Sequence, residues 1–243
     1  MATDYVWVLA VGLAAGAVSG VFGTGSSMML LPVLVPAFGP QAAVPIMAVA
    51  AIIGNLARVL AWWSQVDWRA VAAYALPGMP AAALGARTLL VLPPGVAELA
   101  LGSFFIAMVP ARRVMRRAHV RMRLWQLAVV GAVLGFITGI VVSTGPLSVP
   151  AFAAYGLAGG AFLGSEAASS VAIYVAKVAA FAQAGALPAD VVLSGLIVGA
   201  ALMAGTFAGK RLVLRLSPAV QQWLIDGLLV VSGLALLAAA WQA

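Results

Sequence analysis

The sequence contains no cysteine. Disulfides, thiol chemistry and cysteine metal sites are therefore excluded. Charge is almost as scarce. Asp, Glu, Lys and Arg make up 8% of the 243 residues, where a soluble domain carries roughly 25%. A chain this poor in charge cannot cover a water-facing surface, so the bilayer must be its solvent. Histidine occurs once, as His119 inside a run of arginines, where a ligand role is not expected. No Gly-x-x-x-x-Gly-Lys-Ser/Thr segment is present to cradle a nucleotide, and no His-Glu-x-x-His, Gly-x-Ser-x-Gly or acid cluster supplies an embedded catalytic site. We expect neither an enzyme nor a cofactor nor a metal. The start, Met1-Ala-Thr-Asp4-Tyr, has no positive side chain. That argues against a secretory signal, and the first helix is expected to be retained.

What is abundant is apolar sequence: 65% of residues are hydrophobic and the mean hydropathy is +1.13. Long uninterrupted apolar runs select helices rather than barrel strands. They fall at 5–22, 27–38, 41–64, 69–90, 95–111, 124–142, 146–157, 160–184, 189–213 and 219–241. Gly, Pro and polar residues mark the breaks, as at Gly39-Pro40, Pro93-Pro94, Gly159-Gly160 and Pro188. The fold class expected is an all-α polytopic membrane protein. The net charge of +7 is concentrated in one stretch, where Arg112, Arg113, Arg116, Arg117, Arg121 and Arg123 stand together. A cytoplasmic loop at 111–123 obeying the positive-inside rule explains it. A nucleic-acid partner is not expected, and the plasma (inner) membrane is the expected location.

Two stretches stand apart. Gly16-Ala-Val-Ser-Gly20-Val-Phe-Gly23-Thr24-Gly25-Ser26-Ser27 ends in a turn that no spanning helix needs, and Gly135-Phe-Ile-Thr-Gly139 leads into Ser143-Thr144-Gly145-Pro146. Each is followed by a segment too short to span. Gly16, Gly20 and Arg58 match Gly135, Gly139 and Lys177 at an offset of 119; Gly85-Ala-Arg87 and Pro94 match Gly209-Lys-Arg211 and Pro218 at 124. The expectation is a duplication, with repeat 1 at 1–118 and repeat 2 at 119–243 in one membrane domain. The first helix of each repeat is broken or re-entrant. Parallel repeats would place Lys210, Arg211 and Arg215 outside. Inverted repeats gather Arg69, the 111–123 loop and Arg211/Arg215 on the inside, and the positive-inside rule prefers them.

Broken helices at matching positions of two repeats point to a transporter's binding site. A helix N-terminus there presents N–H groups and a positive dipole end to an anion. Gly23, Thr24, Gly25, Ser26, Ser27, Ser143, Thr144, Gly145 and Pro146 are the candidates, with Thr24, Ser26 and Thr144 as caps. Close packing of small residues between membrane helices is the competing explanation. Arg58 and Lys177 are cations inside apolar segments, with Asn55 and Tyr174 one turn before each and Ser170 on the face of Tyr174 and Lys177. They read either as a pair drawing in an anion or as side chains snorkelling to the interface. Glu166 and Asp226 are the candidates for proton coupling. Asp4, Asp67 and Asp190 read as helix-end residues.

Gly16-x-x-x-Gly20-x-Phe22-Gly23-x-Gly25 with Pro32, Val66-Asp67-Trp68, Gly85-Ala-Arg87, Gly135-x-x-x-Gly139, Thr144-Gly145-Pro146 and Pro150 together resemble the sulfite exporter TauE/SafE family. The resemblance covers essentially the whole chain. Family members typically have more consecutive glycines at the turn, where Ser26-Ser27 and Ser143-Thr144 stand here. The resemblance implies export of small sulfur-containing anions, sulfite or organosulfonates. The residues alone reach only an anion transporter; together with the resemblance, the expectation is a secondary transporter working by alternating access between the two repeats. An anion channel, or a scaffold subunit that moves nothing, are the alternatives; oligomeric state is not readable.

Overall fold

The structure, a computed structural model, describes residues 10–17, 30, 34–35, 38–117, 121–141, 144–213 and positions 223, 226–227, 230–231, 233–234, 237–238 and 241. The turn at 23–27 and Ser143 lie outside the described residues. Among the described residues every regular element is helical. α1 spans Pro40–Trp62, α2 Trp68–Val91, α3 Pro94–Arg117, α4 Leu124–Ile140, α5 Gly145–Tyr155, α6 Gly159–Gln183 and α7 Ala189–Val213. Residues 10–17 and the described positions from 223 to 238 are helical as well.

The boundaries follow local chemistry. Pro40 opens α1 after Gly39 at φ 73°, with a fixed φ suited to a first helical turn. Asp67 caps α2, its carboxylate accepting from the amides of Arg69 and Ala70 at 2.9 and 3.1 Å. α5 stops at Gly156, whose φ of 107° suits a residue without a β-carbon. One expectation is corrected here: α3 does not end at 111 but continues to Arg117. Arginine is a good helix former and no glycine or proline interrupts 111–117. Residues 111–117 of the basic stretch are therefore helical.

Two segments, Ala42–Gln65 and Ala189–Phe207, are long and apolar enough to cross a membrane; Leu124–Ile140 is apolar but shorter. Large apolar side chains stand on the outside, among them Leu60, Leu76, Val91 and Phe207. The interior is built of small and branched residues around Ala43, Met47, Ala50, Leu89 and Phe181. That is the inside-out surface a helical membrane protein needs.

Helix direction can be read from which residues touch. α2 packs most extensively on α4. A β-carbon at Gly131 would strike the Tyr74 backbone, one at Gly135 the Gly78 backbone, and one at Gly139 the backbone of Ala82, Gly85 and Ala86. Numbers rise together, so the two helices run parallel, backbone against backbone. Gly12 and Gly16 lie in the same way on Ala201 and Leu202 of α7. Gly195 and Gly199 sit on Val49 and Ile53, making α1 and α7 parallel; Gly160 sits on Trp62 while Glu166 meets Arg58, so α1 and α6 are antiparallel. The Met122 amide donates to the Ala154 carbonyl at 2.8 Å. The end of α5 has thus returned to the start of α4. The helix ends that carry Arg69, Arg121, Arg123 and residues 210–211 fall on one side of the bundle; those that carry Arg87 and Asp190 fall on the other.

Candidate functional site

α4 ends at Ile140 and α5 begins at Gly145, and this break is held from inside by a lysine. Lys177 is fully buried. Its Nζ donates to the carbonyls of Thr138 and Val141 at 2.6 and 2.8 Å and lies 5.7 Å from the centre of the Phe181 ring. The last carbonyls of a helix have no partner within it, and a cation suits them both as donor and against the dipole. Lys177 therefore terminates α4 as a cap supplied by another helix.

Across the break, the Thr138 and Thr144 hydroxyls meet at 2.5 Å. Thr138 Oγ1 also lies 2.6 Å from the Leu134 carbonyl. Thr144 occupies the N-cap position of α5, but its side chain makes no capping bond. This corrects the expectation that it caps through its hydroxyl. The Leu147 and Ser148 amides both go to the Thr144 carbonyl, at 2.8 and 3.0 Å, and Pro146, in the first turn of α5, has no N–H. The break is furnished mainly with side-chain hydroxyls.

Those hydroxyls converge. A cavity with about 20 Å³ open to the centre of a water molecule is lined by Tyr74, Thr138, Thr144, Gly145, Ser148, Ser170, Ile173 and Tyr174. Six of these eight side chains carry a hydroxyl. They come from α2, α4, the break, α5 and α6. Phe152 packs against the Tyr74 ring at 5.1 Å between centroids.

Next to the cavity lies an ion pair. Arg58 Nη1 donates to Glu166 Oε2 at 2.9 Å, with the two side chains 6% and 3% exposed. Arg58 Nη2 also donates to Asn55 Oδ1, and Asn55 Nδ2 donates to the Ala51 carbonyl at 2.8 Å. Arg58 Nε is buried with no hydrogen-bond partner among the described residues. The other Glu166 oxygen, Oε1, accepts from Ser148 at 3.1 Å and from Ser170 at 3.0 Å. Neither cation snorkels: Arg58 turns to a carboxylate and Lys177 to two carbonyls. A pair of uncompensated positive groups is not what the structure contains, because Glu166 neutralises Arg58.

Of the residues picked from sequence, Thr144, Gly145, Ser170 and Tyr174 line the cavity, Asn55, Arg58 and Glu166 form the adjoining network, and Lys177 braces the break. Asp226 is buried on the C-terminal helical segment and does not line the cavity. Tyr74, Thr138 and Ser148 were not picked. Ser148 had a signal, since it stands one helical turn after Gly145 and so on the same face. Tyr74 had none, because α2 reaches the site through tertiary packing alone.

The family model described as "Sulfite exporter TauE/SafE" matches residues 8–236. The chain belongs to the TauE/SafE family. Family membership makes it a membrane transporter of the sulfite-exporter type and agrees with its apolar exterior. No curated protein and no solved structure matches the chain. The TauE/SafE match includes both glycine stretches and both helices that carry the buried cations.

Proposed function

We propose that this TauE/SafE protein is a secondary transporter that exports a small sulfur oxyanion, sulfite or an organosulfonate, by alternating access across the inner membrane. The single observation that carries the reading is the ring of six hydroxyls around one cavity at the α4–α5 break. Hydroxyls can donate to an oxyanion's several oxygens at once, and the N-terminal end of α5 adds a favourable dipole. A water needs about 10–15 Å³, so the cavity has room for one or two waters and not for an oxyanion. Binding an oxyanion requires the hydroxyl ring to open, as expected of an occluded state.

The chain is read as two inverted repeats, 1–118 and 119–243. Glycine contacts support this. Gly16 on Leu202 repeats Gly135 on Gly78, and Gly12 near Val198 repeats Gly131 on Tyr74, at the offsets of 119 and 124 found between the halves. The hydrogen bond from Met122 to Ala154 favours a re-entrant α4–α5 hairpin. The clustering of basic helix ends on one side favours a cytoplasmic location for 111–123. Gly23, Thr24, Gly25, Ser26, Ser27 and Ser143 complete the site in this reading from outside the described residues. An interior-negative potential then favours anion exit by about 2.3 kcal/mol per charge per 100 mV.

Purified protein in liposomes preloaded with sulfite tests the reading. Saturable counterflow of radiolabelled sulfite is the expected result. Single-channel currents would establish a channel instead, and no flux at all would leave a scaffold.

A further inference from the structure

The cavity does not touch the Glu166 carboxylate directly. Ser148 and Ser170 line the cavity, and both donate their hydroxyl protons to the same carboxylate oxygen, Oε1. While Glu166 is ionised, those two hydroxyls turn their protons away from the cavity and show it lone pairs. An oxyanion there meets acceptors where it needs donors.

Resting on the anion-transport reading, we infer that Ser148 and Ser170 form a proton-controlled relay: a proton on Glu166 reverses one of these two hydrogen bonds and weakens the other, so that anion and proton bind together. Oε2 is held by the Arg58 guanidinium at 2.9 Å, so the proton goes to Oε1, the oxygen away from the positive charge. The new carboxyl O–H donates to a serine oxygen, and the serine's own O–H swings toward the anion. Ser170 is the main relay, because Ser148 has a second acceptor in the Gly145 carbonyl at 3.0 Å. No bond between heavy atoms forms or breaks. The proton enters from water on the loading side and leaves with the anion on the other.

The groups facing Glu166 do not replace it in this role. α1 brings Arg58, already paired with Oε2. α2 brings Tyr74, and its Asp67 carboxylate is engaged with the α2 amides. α5 brings the Ser148 hydroxyl. On α6, Tyr174 lies two turns on, and Lys177 is engaged with the end of α4. Glu166 is matched by Met47 at the repeat offset of 119, so the relay belongs to repeat 2 alone. A dianion travelling with one proton still carries one net negative charge, and the potential still favours its exit.

The test is the half-saturation concentration for radiolabelled sulfite counterflow in proteoliposomes. Wild type, Glu166→Gln and the double variant Ser148→Ala/Ser170→Ala are compared between about pH 6.5 and about pH 8.5. Glutamine keeps an oxygen for Arg58 and offers the serines an N–H, so it imitates the protonated acid. Sulfite's own ionisation is the same for every variant and cancels in ratios. The wild-type to Glu166→Gln ratio is expected to rise with pH, by up to about tenfold per unit. The double-variant to wild-type ratio is expected to fall toward one over the same range, which keeps the test decisive if Glu166→Gln fails to fold. Ratios independent of pH overturn the relay while leaving transport intact. A wild type without counterflow overturns the transport reading, and the relay with it.

Discussion

Replacing Arg58 with Met leaves the Glu166 carboxylate in place, 2% exposed, without the guanidinium that compensates it. Ser148 and Ser170 still donate to Oε1, but Oε2 loses its partner. Removing one member of a buried ion pair costs about 3–5 kcal/mol, mostly from stranding the other charge. For a chain of this length each kcal/mol moves the melting temperature by about 2–4 °C, so Arg58→Met should melt about 6–20 °C below wild type. Replacing both members with apolar residues of similar size is often neutral or better. The double variant Arg58→Met/Glu166→Leu should therefore recover most of that loss. The seven tryptophans make fluorescence-monitored melting in detergent a direct assay. A single variant melting within about 2 °C of wild type, or a double variant no more stable than the single, would refute the reasoning.

Lys177→Met strips the Thr138 and Val141 carbonyls of their donor; each unmet buried group costs about 1–3 kcal/mol. The variant should show a lower melting temperature and lost counterflow, because Thr138 is anchored there. Gly135→Ala places a β-carbon 2.7 Å from the Gly78 Cα and should cost about 1–3 kcal/mol as α2 and α4 are pushed apart, read by the same melting assay. The cysteine-free background allows single cysteines at Arg116 and Arg215, which should label from the same side of sealed vesicles. Labelling from opposite sides would rule out inverted repeats.

The helices were legible where punctuation was dense. α6 was expected at 160–184 and runs Gly159–Gln183; α7 was expected to start at 189 and starts at Ala189. Glycine and proline mark those breaks in any context. The arginines of 112–117 carry no such mark, and their helix was missed. Glu166 was legible as a candidate but its depth was not. Counting from the segment start places it near the interface, yet Gly160 and Gly164 let the end of α1 lie directly over the start of α6, covering the carboxylate. Its partner Arg58 stands 108 residues away, and no local pattern joins them. Tyr74 and Thr138 were illegible for the same reason. A single tyrosine or threonine in an apolar helix has no signature until tertiary packing turns it toward the cavity.

The seam between α2 and α4 has a consequence at the level of the gene. Gly131, Gly135 and Gly139 each meet backbone, not the far end of a flexible side chain, so the seam contains little that can rotate aside. Every codon for glycine is one base from codons for larger residues, and every missense change adds at least a methyl group. Along these ten-odd ångströms of contact the genetic code offers no conservative substitution. Random mutagenesis should therefore return gaps in tolerated variation at these three codons deeper than those at the hydroxyl-bearing positions, where serine and threonine are a single base apart.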